Sequence, residues 1–225
     1  MLSSLITDCR TTPKVKVTNG TMVDLGPACA ALAEYSTYKD GDLNAKGGWL
    51  FSEWAVFAPS SGFWSDAFNP AQPLTAPSQL NSANPAILKA LADAVLSLRS
   101  HKIELDASYG QVQYADRHGL KIPIPSCDTG CFNAIYASDG LGGPLYDAPY
   151  GEVYNGSSLV MTTELTPHGP KSEGILTYSQ ATNPRSPWYS NMTKLYAQGK
   201  WVPLRFSPAA LARDQGKTTV TLRAP

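Results

Sequence analysis

The clearest pattern in the chain is a stripe of apolar residues at helical spacing after residue 84. Asn84 precedes the stripe as a candidate N-cap, and Pro85 takes the first helical position. The stripe itself consists of Ile87, Leu88, Leu91, Val95 and Leu98. His101 and Lys102 follow, where positive charge suits the C-terminal end of a helix dipole. The pattern predicts an amphipathic helix that begins at Pro85 and ends near His101.

Two further helices are predicted upstream of this stripe. Asp24 is placed to cap a short helix over residues 27–35. The inner face of that helix would carry Cys29, Leu32 and Ala33. Residues 47–58, GGWLFSEWAVFA, form an apolar segment in which aromatic side chains nearly surround the helix axis. A helix that is apolar all round is expected to be buried.

Three segments lack a regular apolar period and are expected to be irregular. Residues 1–21 are interpreted as a loose leader, with a turn at Asn19-Gly20. Residues 59–82 are rich in Pro, Ser and Asn and are expected to form an extended loop. Residues 125–151 contain eight Gly or Pro residues and predict a long loop, which in compact proteins is usually functional or lies across another element.

Alternating residues mark the strands. GQVQYADRHGLKIPI, residues 110–124, predicts a hairpin with its turn near His118-Gly119. Residues 158–165 and 173–180 predict two more strands, joined by TPHGPK. Both carry apolar residues on both faces, as in a sheet that is covered on both sides. Helices combined with hairpin-linked strands predict the α+β class.

The last part of the chain predicts three short elements. Ser186 is placed to cap a helix with Pro187 at its first position, and Gly199 is placed to end it. Ser207 and Pro208 mark the start of a final short helix. TTVTLRA, residues 218–224, predicts a terminal strand.

Composition narrows the classes of function. The chain has 225 residues, enough for one large domain or two small ones, and 43% of them are hydrophobic. Only 16% are charged, which indicates irregular segments packed against something larger, in part a partner chain. The formal net charge is zero, which argues against nucleic acid as a partner. No apolar run reaches the length of a membrane span, and the first residues do not have the pattern of a signal peptide.

Four cysteines form two short-range candidate pairs, Cys9 with Cys29 and Cys127 with Cys131. Two disulfides would indicate an oxidising compartment. The alternative is four unpaired structural thiols. A zinc site is not favoured, because the spacing is not CxxC and no His lies near either pair in the sequence.

Candidate chemistry within the chain is sparse. No GxSxG nucleophile elbow is present, and Gly156-Ser157-Ser158 precedes a strand rather than a helix. His168 is expected at an exposed hairpin tip, without a carboxylate or nucleophile placed beside it. The long loop carries three carboxylates without a feature that would tune them for acid–base work, namely Asp139, Asp147 and Glu152. Gly140, Gly142 and Gly143 do not lead into a helix, so no phosphate-binding loop is expected.

Residues 174–206, GILTYSQATNPRSPWYSNMTKLYAQGKWVPLRF, closely resemble the C-terminal stretch of the penicillin acylase family of N-terminal-nucleophile amidohydrolases, especially its acyl-homoserine lactone acylase branch. Residues 86–124 are similar to the family's helix and its following hairpin. Two upstream segments match the family more weakly, namely VDLGPACAALAEY and GGWLFSEW. All these segments occur in the same order along the chain as in the family. The shared order is more specific than any single segment.

The resemblance implies a fold and an activity. The fold would be part of a four-layer αββα sandwich, and residues 1–225 would be a single C-terminal region of the large (β) chain. The family cleaves acyl amides, such as N-acyl-homoserine lactones or penicillin side chains. Its nucleophile is the N-terminal Ser of a processed chain, which lies upstream of the matching region. The resemblance therefore places no catalytic, cofactor-binding or metal-binding residue in this chain.

The resemblance also implies partners and a location. The partners would be the remainder of the acylase, meaning the upstream part of the β chain and the α chain, and the location would be periplasmic or extracellular. Four positions depart from the family pattern: Ser179 replaces a usual Gly, Trp188 a usual His, and Asn191-Met192 a usual Asp-Gln. Gly156-Ser157-Ser158 also stands where Gly-Asn-Ser is common. These departures leave the helix and strand pattern intact.

Two other classes of function stay open from the sequence. One is a non-enzymatic chain or secreted binding module that uses its tryptophans, although burial is the commoner role of Trp. Those tryptophans are Trp49, Trp54, Trp64, Trp188 and Trp201. The other is an independent hydrolase that uses His168.

Overall fold

The computed structural model describes residues 1–38, 41–128, 131, 133–138, 148–214, 218 and 220–223. The chain consists of two compact units, Met1–Ser157 (unit 1) and Ser158–Pro225 (unit 2). Helices and small antiparallel sheets occur in both units, and this confirms the predicted α+β class.

Unit 1 is built mainly from helices, with short hairpins between them. Its helices are α1 (Leu2–Thr11), α2 (Gly26–Tyr35), α3 (Gly48–Phe57), α4 (Pro85–Ser100) and α5 (Tyr109–Val112). Its strands are β1 (Lys14–Lys16), β2 (Met22–Asp24), β3 (Tyr114–Arg117), β4 (Leu120–Pro123), β5 (Ile135–Ala137) and β6 (Val153–Gly156). They pair in antiparallel couples, β1 with β2, β3 with β4, and β5 with β6.

The core of unit 1 lies where α3 and α4 pack together. Four of the five stripe residues of α4 are buried and Leu88 is half-buried. The side chain of Asn84 accepts a hydrogen bond from the Ala86 N–H at 3.0 Å, as predicted for an N-cap. On α3, Trp49, Phe51 and Trp54 are all buried, and the indole N–H of Trp54 donates to the Ile87 carbonyl. Burying these large rings accounts for much of the apolar area that unit 1 removes from water.

The interpretation of residues 1–21 as a loose leader is wrong. Residues 2–11 form α1, whose side chains at Leu5, Ile6 and Cys9 are buried, and the next residues form β1. The physical reason is visible in the sequence, because Leu2, Leu5, Ile6 and Cys9 recur at helical spacing.

The hairpin predicted at residues 110–124 is confirmed for β3 and β4, whereas residues 110–112 belong to α5. Its register pairs Tyr114 with Pro123 and Arg117 with Leu120, which leaves His118 and Gly119 as a two-residue turn. Both turn residues have positive φ, 58° and 85°, as a type I′ hairpin turn requires. The Asp116 carboxylate accepts the Gly119 N–H at 2.7 Å and fixes the turn.

Unit 2 contains β7 (Leu159–Thr166), β8 (Gly169–Leu176), α6 (Asn191–Ala197), β9 (Val202–Leu204) and α7 (Pro208–Ala212). One three-stranded antiparallel sheet has the order β7-β8-β9. The β7–β8 register runs unbroken from Leu159–Leu176 to Thr166–Gly169, so the turn is only Pro167-His168. The second strand, predicted at residues 173–180, instead begins at Gly169 and ends at Leu176. Both predicted ends are four residues too late, because the pairing with β7 continues back to Gly169.

Three other predictions for unit 2 need correction. The helix predicted to begin at Pro187 begins at Asn191, and the Ser186 hydroxyl instead accepts the Trp188 N–H in a turn. The sheet is not covered on both sides by the described part of the chain, since most of β7 is exposed. The predicted strand 218–224 falls partly outside the described residues, and its described part, 218 and 220–223, is not a strand.

No helix in the described ranges has the length and apolar character needed to cross a membrane.

Candidate functional site

The three histidines occupy separate structural positions. His101 follows the last residue of α4, and its Nδ1 lies 2.9 Å from the Ser97 carbonyl oxygen, as expected for a helix-terminal residue. His118 is the turn residue of the β3–β4 hairpin. His168 lies in the exposed β7–β8 turn, and no ion pair joins it to a carboxylate in the described part of the chain. The Ser100 hydroxyl lies 3.3 Å from the same Nδ1 of His101. No hydrogen bond or ion pair joins any of the three imidazoles to a carboxylate among the residues that the structure describes.

Most of the candidate loop residues lie outside the described part of the chain. These are Asp139, Asp147, Gly140, Gly142 and Gly143. Glu152 is described and half-buried, and its backbone carbonyl accepts the Ser138 N–H at 2.8 Å. Among the described residues, no three His, Cys, Asp or Glu side chains gather in a way that could hold a metal ion.

A buried polar cluster in unit 1 was not predicted. Glu53 on α3 is only 3% exposed, and its carboxylate accepts a hydrogen bond from the Tyr150 hydroxyl at 2.5 Å. The indole N–H of Trp49, one helical turn before Glu53, donates to the same hydroxyl at 2.7 Å. The ring of His101 stacks on Tyr150 with 4.1 Å between ring centroids. We call these four residues, Trp49, Glu53, His101 and Tyr150, the Glu53 cluster.

The Glu53 cluster has the properties of a structural network. A buried carboxylate is costly unless it is hydrogen-bonded, and the Tyr150 hydroxyl supplies such a bond. Ser52, beside it, exchanges a hydrogen bond with the Tyr109 hydroxyl at 3.0 Å rather than with a histidine. The adjoining cavity, lined in part by Ser52 and Glu53, measures about 40 Å³. That volume suits one water molecule, while small-molecule sites usually measure at least about 300 Å³.

The sequence could not have identified this cluster. Glu53 and Tyr150 are separated by 97 residues, and Trp49 and Tyr150 by 101. No local periodicity connects α3 to the end of a Gly- and Pro-rich loop. The one sequence signal was the presence of a lone charged residue in an otherwise apolar helix, WLFSEWAVF.

The tryptophans do not converge on one aromatic site. Trp49 and Trp54 are buried in the core of unit 1, which agrees with the common role of Trp. Trp64 and Trp188 are exposed, and they belong to different units. Trp201 is half-buried in unit 2.

Both predicted cysteine pairs form disulfides. Cys9–Cys29 connects α1 to α2 with 5.8 Å between Cα atoms, and Cys127–Cys131 closes a short loop with 5.5 Å between Cα atoms. Both belong to unit 1. Persistent disulfides are typical of secreted and periplasmic proteins.

One face of the unit 2 sheet is apolar and open. On β7, the side chains of Leu159, Met161 and Leu165 alternate onto this face and are 60%, 50% and 87% exposed. Thr163 lies on the same face between Met161 and Leu165, and its hydroxyl shares a hydrogen bond of 2.8 Å with that of Ser172. The neighbouring strands add Leu176, Val202 and Leu204, which are half-buried. We call these six apolar residues the apolar face. The opposite face of β7 begins with Val160, which is only 6% exposed.

A second feature of unit 2 lies just after β8. The hydroxyls of Thr177 and Tyr178 are buried and have no hydrogen-bond partner among the described residues. Burial raises the pKa of Tyr178 to about 12, with a further contribution from the charge of the nearby Tyr196. The next residue, Ser179, has a positive φ of 63°. Its Oγ accepts the Thr193 N–H at 3.0 Å, within the first turn of α6.

The sequence of this chain is similar to a known protein family and to several of its members. The profile of the penicillin amidase family matches residues 7–213. Aculeacin-A acylase of Actinoplanes utahensis is 35% identical over 215 residues, which cover 93% of this chain and 26% of the relative. The acyl-homoserine lactone acylase PvdQ of Pseudomonas syringae pv. syringae (strain B728a) is 28% identical over 200 residues, 84% of this chain and 24% of the relative.

The likeness extends over almost the whole of this chain but only part of each relative. The chain spans about a quarter of the length of the curated relatives that it matches. Both units lie largely within the matched residues 7–213, so the likeness covers the Glu53 cluster and the apolar face alike. The chain therefore belongs to the penicillin amidase family.

Proposed function

We propose that this chain is the C-terminal part of the large chain of an amidohydrolase that cleaves an acyl amide. The observation that carries the proposal is the combination of two facts. The family profile matches residues 7–213, yet the chain spans only about a quarter of each acylase that it resembles. The nucleophile would then be an N-terminal Ser that lies upstream of the matched region.

The reaction follows from the family resemblance. The Ser hydroxyl would attack the amide carbonyl carbon, while its own α-amine accepts the hydroxyl proton. The tetrahedral oxyanion would be stabilised by hydrogen-bond donors outside this chain, and the C–N bond would break as the amine leaves with the proton. Water would then hydrolyse the acyl ester. The names of the relatives support an acyl amide of the aculeacin or acyl-homoserine lactone kind as substrate, and the family resemblance adds penicillin-type side chains.

In this proposal the chain has a structural role. It contributes strands and outer helices to an αββα sandwich and holds the nucleophile-bearing part in position. The proposed location is the periplasm or the extracellular space, which the two disulfides support.

Complementation tests the proposal. The chain is purified alone and mixed with the preceding part of aculeacin-A acylase, and hydrolysis is assayed on a panel of acyl amides. We expect each part alone to be inactive and the mixture to co-elute and hydrolyse at least one substrate. Replacing the N-terminal Ser of the upstream part with Ala is the control and should abolish the activity. Hydrolysis by this chain alone would contradict the proposal.

Genomic sequence provides an independent check. The proposal expects coding sequence that continues in frame before the codon of Met1, or lies next to it, and contains a Gly-Ser processing site. Absence of such a sequence, together with no activity in the mixture, would favour the non-enzymatic alternative.

A further inference from the structure

Strand β7 lies at an edge of its sheet. In the order β7-β8-β9 it pairs with β8 alone, so its other side has a row of backbone N–H and C=O groups without a strand partner among the described residues. It is eight residues long, and its register with β8 is continuous from Leu159 to Thr166. A long, regular edge strand is a ready template for pairing with another strand.

Most of the usual protections of an edge strand are absent from β7. The strand, LVMTTELT, contains no proline and no lysine, and its ladder shows no bulge. Its one charged residue is Glu164, which lies 3.9 Å from Lys171 in an exposed ion pair. Since proteins normally blunt exposed edges with such devices, a strand of eight residues with a single charge indicates that β7 is covered in the assembled protein.

The apolar face points to the same conclusion. Leu165 is 87% exposed, Leu159 60% and Met161 50%, all on one side of β7. Adjacent strands extend the same face with Leu176, Val202 and Leu204. Thr163 is the one polar residue of β7 on this face, and a group of exposed apolar side chains on a folded protein usually marks an interaction site.

We infer that β7 receives a β-strand from the upstream part of the acylase, and that the apolar face packs against the same part. This inference rests on the proposed function. The choice of occupant comes from length, because about three quarters of each matched relative lies outside this chain. Strand addition supplies backbone hydrogen bonds, and the covered leucines supply apolar burial.

Two neighbouring substitutions test the inference. Met161→Lys places a charge on the apolar face, and Thr162→Lys places the same charge on the opposite face of the same strand. Both positions are exposed, so we expect the melting temperature of the free chain to be unchanged in both variants. Met161→Lys should bind the upstream part at least about tenfold more weakly, while Thr162→Lys should bind as the parent chain does. Leu165→Lys is expected to match Met161→Lys.

Hydrogen exchange adds a direct measure of strand pairing. Amides of residues 159–166 should exchange more slowly in the complex with the upstream part, whereas amides of residues 85–100 should not change. Binding without slower exchange in β7 would overturn the strand addition. If Met161→Lys and Thr162→Lys bind the upstream part equally well, the apolar face is not the contact surface. The proposed function would be unaffected by that result.

Two further outcomes would also overturn the inference. If the free chain is a dimer and the Met161→Lys substitution makes it monomeric, the strand that pairs with β7 comes from a second copy of this chain. If the parent chain does not associate with the upstream part at all, the proposed function fails, and the inference fails with it.

Discussion

At the scale of single residues, Ser179 explains one departure from the family pattern. Its φ of 63° lies in the left-handed region, where Gly has no steric cost and other residues pay about 1 kcal/mol or more. The Ser side chain compensates, because its Oγ accepts the N–H of Thr193 in the first turn of α6. Ser190, the N-cap residue of α6, makes no such side-chain bond. Ser179, which is distant from α6 in sequence, therefore takes over the capping bond that the N-cap residue Ser190 does not make.

This arrangement predicts an order of stability for the parent chain and two variants of Ser179. Ser179→Ala loses the bond to Thr193 and keeps the unfavourable φ, so we expect a loss of about 2 kcal/mol in unfolding free energy. Ser179→Gly also loses the bond but relieves the backbone, so its loss should be about 1 kcal/mol smaller. Urea unfolding monitored in unit 2 measures both. A Gly variant that is less stable than the Ala variant would contradict this account.

At the scale of secondary structure, local signals were enough for α3, α4 and the β3–β4 hairpin. A cap, a stripe of apolar residues or a two-residue turn lies within a few positions of the residues that it organises. The missed helix α1 had a local signal in its helical spacing, whereas other features of the fold depend on distant partners. Strand β9 exists because Val202–Leu204 pair with β8, and β8 ends at Leu176, shortly before Ser179 contacts α6. The Glu53 cluster likewise depends on residues about 100 positions apart.

The cap of α4 permits a test at this scale, because both ends of the Asn84 side chain are used. Its carbonyl oxygen accepts the Ala86 N–H, and its amide group donates to the Gly62 carbonyl at 3.0 Å. Asn84→Ala removes both bonds and should cost about 2 kcal/mol. Asn84→Asp keeps the acceptor and should cost about half as much.

Urea unfolding of unit 1 distinguishes these costs. Asn69→Ala is a suitable control, since Asn69 makes a comparable bond to the Ala71 N–H within an exposed loop. We expect little change from it. Equal losses in the Asp and Ala variants of Asn84 would show that the helix cap contributes nothing and that the contact with Gly62 accounts for the whole effect.

At the scale of the whole molecule, the two units differ in how they are stabilised. All four cysteines and both disulfides belong to unit 1. Unit 2 contains no cysteine and keeps an open apolar face. The paired cysteines were predicted from spacing, but their restriction to one compact unit required the structure, because unit boundaries depend on contacts throughout the chain.

Removing each disulfide should therefore affect one unit only. Cys9→Ala with Cys29→Ala opens a loop with a sequence separation of 20, and Cys127→Ala with Cys131→Ala opens one of 4. In the chain-entropy model the first bridge contributes about 3 kcal/mol and the second about 2 kcal/mol. Hydrogen exchange followed by peptide mass spectrometry should show faster exchange in residues 1–157, with the larger effect in the Cys9 and Cys29 double variant.

Residues 158–214 provide the internal control in the same experiment. If the units unfold independently, their exchange should match that of the parent chain in both double variants, because no cross-link in unit 2 has been removed. Faster exchange there, of the same size as in unit 1, would mean that the two units unfold as one cooperative body. In that case the stability of β7 and the apolar face would depend on the disulfides of unit 1. The redox potential of the compartment would then control assembly with the upstream part.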